Sequence, residues 1–260
     1  MSDEALVLYE VHNKIARVTM NRPKAMNAMS RAMITRLRET LEHAQNDHAA
    51  EVIILTGAGG NFCAGDDLKE AEHQTREDSL ALILDLQILT RLLCLRDKPT
   101  IAAIDGVAVG GGFELALACD FRVASTRARM GCVEARVGMV ITGGTTVLLP
   151  ALVGQGNARE IILLADVFNA QAAHSFGLLH RLVEPVKLDT EIQALAEKLL
   201  SRAPLSRRFS KQLLNRPLET ELERAFYNEL ETIMQTFGTH DALEAMAAFR
   251  EKRPAVFKGK

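Results

Sequence analysis

Tryptophan is absent from this 260-residue chain, tyrosine occurs only twice, and cysteine only four times. Cys63, Cys94, Cys119 and Cys132 form no CxxC pair and show no zinc-ligand spacing, so the thiols are read as reduced. The seven histidines make no ligand pair on one helical turn, and no metal is expected. Neither sign of charge dominates: the formal net charge is −2, which excludes a general attraction to nucleic acid or an anionic membrane. Any acidic ligand must be met by local lysine or arginine. Met1-Ser2-Asp3-Glu4 has no basic segment leading into an apolar run, and no uninterrupted apolar stretch reaches transmembrane length. The expectation is a soluble cytoplasmic protein. Gly57-Ala58-Gly59-Gly60 lacks the Lys-Ser/Thr ending of a phosphate-binding P-loop, and no Gly-x-Ser-x-Gly elbow occurs.

What the chain does contain is ordinary for a globular protein, with 48% apolar and 25% charged residues. Its length suits one large domain with a substantial core, or a domain with a smaller appendage. Leu6 to Val11 and Ile15 to Met20 are β-branched, apolar runs that read as a hairpin. Ser30 can cap a helix whose Met33, Ile34, Leu37 and Leu41 share one face. Val52 to Leu55 and Thr100 to Ile104 are short continuous apolar runs, suited to strands buried on both faces. A helix is expected from about Asp78 to Leu95, another from Phe113 to Cys119, and a strand from Phe121 to Ala124. From about Thr145 the texture turns helical, with Arg181-Leu182-Val183 the one later strand candidate and Pro204 and Pro217 punctuating the helices. Residues 1–200 are read as the core and 201–260 as a helical appendage that buries its apolar face on a neighbour.

Two glycine-rich segments carry the chemistry: Phe62-Cys63-Ala64-Gly65-Asp66-Asp67-Leu68-Lys69 and Gly110-Gly111-Gly112-Phe113-Glu114. Each offers bare backbone N–H groups on a tight bend at a strand-to-helix turn. The second places a carboxyl group three residues after its middle glycine. Stabilising negative charge on a carbonyl oxygen needs two converging donors and a nearby acid or base. Together the segments suggest enolate or thioester chemistry.

At these residues the chain resembles the enoyl-CoA hydratase/isomerase, or crotonase, family. The likeness runs from Asn21-Arg22-Pro23-Lys24-Ala25-Met26-Asn27-Ala28 through both glycine segments and Gly131-Cys132-Val133-Glu134 to Phe249-Arg250-Glu251-Lys252-Arg253-Pro254. The resemblance implies an α/β fold, a spiral of repeated ββα units, with a C-terminal helical trimerisation region and assembly as a homotrimer or dimer of trimers. It implies an oxyanion hole made by the N–H groups of Asp66 and Gly111. Glu114 and Glu134 match the family's pair of catalytic glutamates, between which a hydratase holds water. The acyl-CoA set it implies has Lys24 and Ala25 near adenine, Ala64, Asp66, Asp67, Leu68 and Gly110 beside thioester and pantetheine, and Phe249 and Lys252 at the nucleotide. No metal or redox cofactor is implied, because coenzyme A is part of the substrate.

Two departures qualify that pattern. Family hydratases follow the second glutamate with a stretch like Gly-x-Ile-Pro-Gly-x-Gly-Gly, whereas this chain reads Gly138-Met139-Val140-Ile141-Thr142-Gly143-Gly144, one residue shorter and without that proline. Either the Thr142 hydroxyl replaces the lost backbone donor or the pocket serves another acyl group. Asp66 replaces a small or apolar residue; an ionised carboxylate facing an enolate would raise its energy, so the side chain is expected to point away or be tied locally. The first reading is reversible addition of water to a 2-enoyl-CoA; enoyl-CoA isomerisation is the alternative. A silent member binding RNA or protein would need a dense basic face, yet Arg31, Arg36 and Arg38 are mixed with Glu39 and Glu42.

Overall fold

A computed structural model describes residues 5–71 and 74–260. Met1 to Glu4, read above for a leader, and His73 lie outside the described residues. The hairpin forms as β1 (Val7–His12) and β2 (Ile15–Met20), paired antiparallel. Its two-residue loop, Asn13 and Lys14, has φ of 49° and 66°, the doubly left-handed turn that matches strand twist. Helix α1 (Arg31–Asn46) starts at Ser30, whose hydroxyl accepts the Met33 N–H at 3.2 Å.

Strand β3 (Val52–Gly57) follows, then the short helix α2 (Leu68–Ala71) and α3 (Arg76–Thr90). The expected start of α3 moves two residues earlier because Thr75 and Asp78 close a capping box, and a wider π turn completes Arg91–Leu95. Strands β4 (Thr100–Ile104) and β5 (Val107–Val109) lead into α4 (Gly111–Ala118). Strands β6 (Phe121–Ser125) and β7 (Arg129–Gly131) lead, through a 3-10 turn at Glu134–Val137, into α5 (Thr145–Leu164). Then come β8 (Phe168–Asn169), α6 (Ala170–Ser175), β9 (Arg181–Val183), α7 (Leu188–Leu200), α8 (Pro204–Thr236) and α9 (His240–Glu251).

The main sheet has the order β1-β2-β3-β4-β6-β9 and is parallel after the hairpin. The second sheet, β5-β7-β8, is reached at each turn of the spiral by a short strand; Cys63 adds a parallel bridge to Ala108. Sequence reading missed β5, β7 and β8, whose two or three residues are too short to show an alternation. Val52 to Leu55 of β3 are all apolar because both faces are covered. Ile53 and Leu55 join the main core, while Val52 and Ile54 pack with Leu188, Ile192 and Leu195 of α7.

Pro217 does not end a helix as expected. It lies inside α8 on the exposed side, where an unpaired carbonyl can meet water. The 201–260 segment is also bound into the core, through Leu222 and Phe226. Helix α5 is long and apolar enough to cross a bilayer by length and composition, although its apolar run is interrupted. It carries Arg159 and Glu160, breaks its helical geometry at Gly154, and buries Leu148, Leu149, Val153 and Ile161 in the protein.

Candidate active site

The two glycine segments lie against each other. Gly65 has φ of 84°, and a Cβ there would stand 2.9 Å from the Val109 carbonyl oxygen and 3.4 Å from the Gly111 nitrogen. A side chain would therefore push the loops apart. Gly110, at φ 55°, turns β5 into α4 so that Gly111 opens the helix with a free N–H. The Asp66 N–H likewise has no acceptor among the described residues, while its neighbour Asp67 donates to the Met29 carbonyl at 3.1 Å. The predicted donor pair is thus brought together at the mouth of one pocket, lined by Ala64, Asp66, Gly110, Gly111, Glu114 and Glu134.

Glu114, in the first turn of α4, is buried. Thr142 meets both of its oxygens: the Thr142 N–H donates to Oε1 at 2.6 Å and the hydroxyl lies 2.9 Å from Oε2. The shortened loop therefore grips Glu114 itself. Glu134 begins the 3-10 turn, and its Oε2 is buried without a partner. Burial pushes the Glu134 carboxyl up to about 7, with the nearby Asp66 charge adding to the rise. Glu114 is held well above the usual carboxylate range, first by burial and then by repulsion from Glu134. Two neighbouring acids of this kind can hold one proton between them at neutral pH.

Of the two expectations for the Asp66 carboxylate, a local hydrogen bond does not form at Oδ1. That oxygen is sealed from solvent in the pocket wall with no hydrogen-bond partner, although the residue as a whole keeps partial exposure along the cleft. Arg22, which pairs with this loop, is engaged elsewhere than Asp66: it donates to Asp67 Oδ2 at 3.0 Å and to the Ala28 carbonyl at 2.6 Å. Burial raises the Asp66 carboxyl to about 6.

Sequence reading missed Glu229. From α8 it accepts the N–H of Gly144 at 2.9 Å, the N–H of Thr146 at 3.1 Å and the Thr146 hydroxyl at 2.5 Å. It thereby fixes the loop that ends at the start of α5, two residues beyond Thr142. A signal was present: Glu229 interrupts the buried stripe of Leu222, Phe226 and Ile233.

The remaining walls of the inner pocket are mainly apolar, among them Met29, Leu82, Leu86, Met139, Ile233 and Phe237, with Asp67, Gln74, Ser79 and Thr142 as the polar exceptions. It encloses about 150 Å³, a size that elsewhere holds a benzene-sized group. Ala64, Asp66, Asp67 and Leu68 also line a wider outer cleft of about 710 Å³, together with Lys24, Ala25 and Phe249. Lys252 is not among the residues lining that cleft. It caps the end of α9 at φ 55°, and Arg253 lines the cleft instead, paired with Glu244. The basic face required for RNA does not form on α1: Arg31 and Arg38 pair with Asp85, and Arg36 with Glu39. All four cysteines are buried and unbridged, and burial raises the Cys63 thiol to about 12, which makes it unreactive.

Comparison with known proteins agrees with this geometry. The chain is 36% identical over 255 residues to a crotonyl-CoA hydratase of Syntrophomonas wolfei, covering 98% of each chain. It is 39% identical over 249 residues to a short-chain-enoyl-CoA hydratase of Clostridium acetobutylicum, covering 95% of each. Its fold matches the crystal structure of an enoyl-CoA hydratase from Mycobacterium avium subsp. paratuberculosis with a TM-score of 0.89 at 27% identity, over 98% of this chain and 99% of that one. The enoyl-CoA hydratase/isomerase family model matches residues 10–260. With the ββα spiral, the paired N–H donors and both glutamates in place, this chain belongs to the enoyl-CoA hydratase/isomerase, or crotonase, family.

Proposed function

We propose that the chain is an enoyl-CoA hydratase that adds water reversibly to a short 2-enoyl-CoA. The observation that carries this reading is that Glu114 and Glu134 face one small pocket beside the free N–H groups of Asp66 and Gly111. The two N–H groups polarise the thioester carbonyl, and each contributes roughly 3 kcal/mol once charge develops on that oxygen. Glu114 takes a proton from water as its oxygen bonds to C3, and the C2–C3 π electrons move into the enolate. Glu134 then delivers a proton to C2, and the enolate collapses to the 3-hydroxyacyl thioester. The pocket's volume and the names of the two relatives support a short acyl chain. Lys24, Ala25 and Phe249 along the outer cleft support coenzyme A as the carrier. Exposed Leu205, Phe209, Leu213 and Leu214 on α8 support a homotrimer or dimer of trimers, which light scattering would test.

A second reading, enoyl-CoA isomerisation by Glu134 alone, is favoured by one detail. Thr142 occupies both oxygens of Glu114, whereas Glu134 Oε2 is unpartnered. A panel of 2-enoyl- and 3-enoyl-CoA thioesters separates the two. Loss of conjugated absorbance from 2-enoyl substrates, abolished in Glu114→Gln and Glu134→Gln, supports hydration. Its appearance from 3-enoyl substrates, retained in Glu114→Gln, replaces hydration with isomerisation.

A further inference from the structure

The mechanism above uses the backbone of Asp66 but leaves its carboxyl group without a task. That carboxyl is costly where it stands. Oδ1 is cut off from solvent and unpaired, in a pocket whose walls are otherwise mainly aliphatic. It lies beside the second oxyanion donor, since a Cβ on Gly111 would come within 3.3 Å of it. The cations are confined to one side of the binding groove: Arg22, Lys24, Lys69, Arg136 and Arg253 line the outer cleft beside Asp66 and Asp67, while no lysine, arginine or histidine lines the inner pocket among the described residues. Inside are Asp66, Asp67, Glu114 and Glu134, of which Asp67 is paired with Arg22. Thr142 satisfies Glu114, and Glu134 is engaged in proton transfer; the donor missing from Asp66 is left for the ligand to bring.

We propose that the Asp66 carboxyl group is a specificity-determining group of the acyl pocket, selecting short acyl chains that carry a hydrogen-bond donor, such as a hydroxyl, next to the reacting carbons and rejecting chains that carry a second carboxylate. This rests on the acyl-CoA reading above. A hydroxyl at C4 gives the Asp66 carboxylate a charge-assisted partner, whereas a carboxylate there enters a pocket lined by four acids and no cation.

Three saturated four-carbon thioesters differing only at C4 test it: butyryl-CoA, 4-hydroxybutyryl-CoA and succinyl-CoA. They undergo no hydration, so calorimetric affinities are read independently of turnover. At pH 8, where Asp66 is ionised, the wild type is expected to bind 4-hydroxybutyryl-CoA at least tenfold tighter than butyryl-CoA and succinyl-CoA at least tenfold weaker. Asp66→Ala should bring both ratios close to one, and Asp66→Asn should relieve the discrimination against succinyl-CoA while keeping part of the hydroxyl preference. Ratios near one in the wild type, or unchanged in both variants, overturn the inference. If the ratios are as expected but crotonyl-CoA is not hydrated, the proposed reaction falls and the pocket's selectivity stands. If crotonyl-CoA is hydrated and the ratios are flat, only the selectivity falls.

Discussion

Thr142 commits both of its polar groups to Glu114, the N–H at 2.6 Å from Oε1 and the hydroxyl at 2.9 Å from Oε2. The two contacts differ in kind. An N–H can only donate, so Oε1 is always an acceptor, whereas a hydroxyl can donate to an ionised Oε2 or accept from a protonated one. The side chain can therefore follow Glu114 through a change of protonation without leaving a buried polar atom unpaired. Thr142→Val keeps shape and N–H but loses that freedom. Hydration kcat is expected to fall about 10- to 100-fold, the equivalent of about 1.4–3 kcal/mol, with KM little changed, and Thr142→Ser should restore most of it. Steady-state kinetics on crotonyl-CoA checks this; equal rates in Thr142→Val would mean that the hydroxyl only fills space.

Glu229 acts one step further back. It accepts three hydrogen bonds from Gly144 and Thr146, and its charge also raises the Glu114 carboxyl. Glu229→Gln puts an amide NH₂ opposite groups that donate, at a cost of about 1–3 kcal/mol. The melting temperature should fall, and the limb of the pH–rate profile governed by Glu114 should move to lower pH because one source of repulsion is gone. A drop in stability with an unmoved profile would confine Glu229 to a structural role.

Gly112 tests how tightly the two glycine segments are joined. A Cβ there would meet the Cys63 carbonyl oxygen at 2.3 Å and the Cys63 Cβ at 2.7 Å. Backbone cannot yield as a flexible side chain can, so Gly112→Ala must separate α4 from the loop that carries Asp66. Loss of two or more orders of magnitude in kcat/KM is expected, because both oxyanion donors depend on that contact. Circular dichroism and a melting curve accompany the assay, to separate a displaced loop from an unfolded chain.

What was legible follows from physical distance along the chain. The two loops could be read because a positive φ and a close backbone approach admit glycine and little else, and Glu114 is tied to its loop by three residues of helix. Val52 to Leu55 could be read because a strand covered on both faces is apolar at every position. Glu229 was passed over because its partner Gly144 lies 85 residues away and one polar residue on a helical stripe resembles surface variation. That Arg22 pairs with Asp67 while Asp66 Oδ1 stays without a partner is a choice between adjacent carboxylates that no pattern records. At the end of α9 a one-residue difference places Arg253 rather than Lys252 along the outer cleft of this chain, a detail that motif spacing does not record.

The acid cluster should also be visible in stability. Glu134 rises from 4.5 to about 7 on folding, so the folded chain holds a proton that the unfolded chain has released between those values. Stability from this group is fully present below pH 4.5 and is lost as pH rises through 7, after which the loss is constant. Glu114 and Asp66, also raised, act with the same sign. Glu134→Gln removes the ionisation while keeping size and hydrogen bonding. Above pH 7 it should be more stable than wild type by at most about 3 kcal/mol, and below pH 4.5 the two should nearly coincide. For a chain of this length each kcal/mol is worth roughly 2–4 °C, so melting curves at pH 4.5, 6 and 8 should diverge by several degrees. Parallel curves across that range would mean that Glu134 is as well solvated folded as unfolded, and the shared proton on which the hydration chemistry relies would have no source.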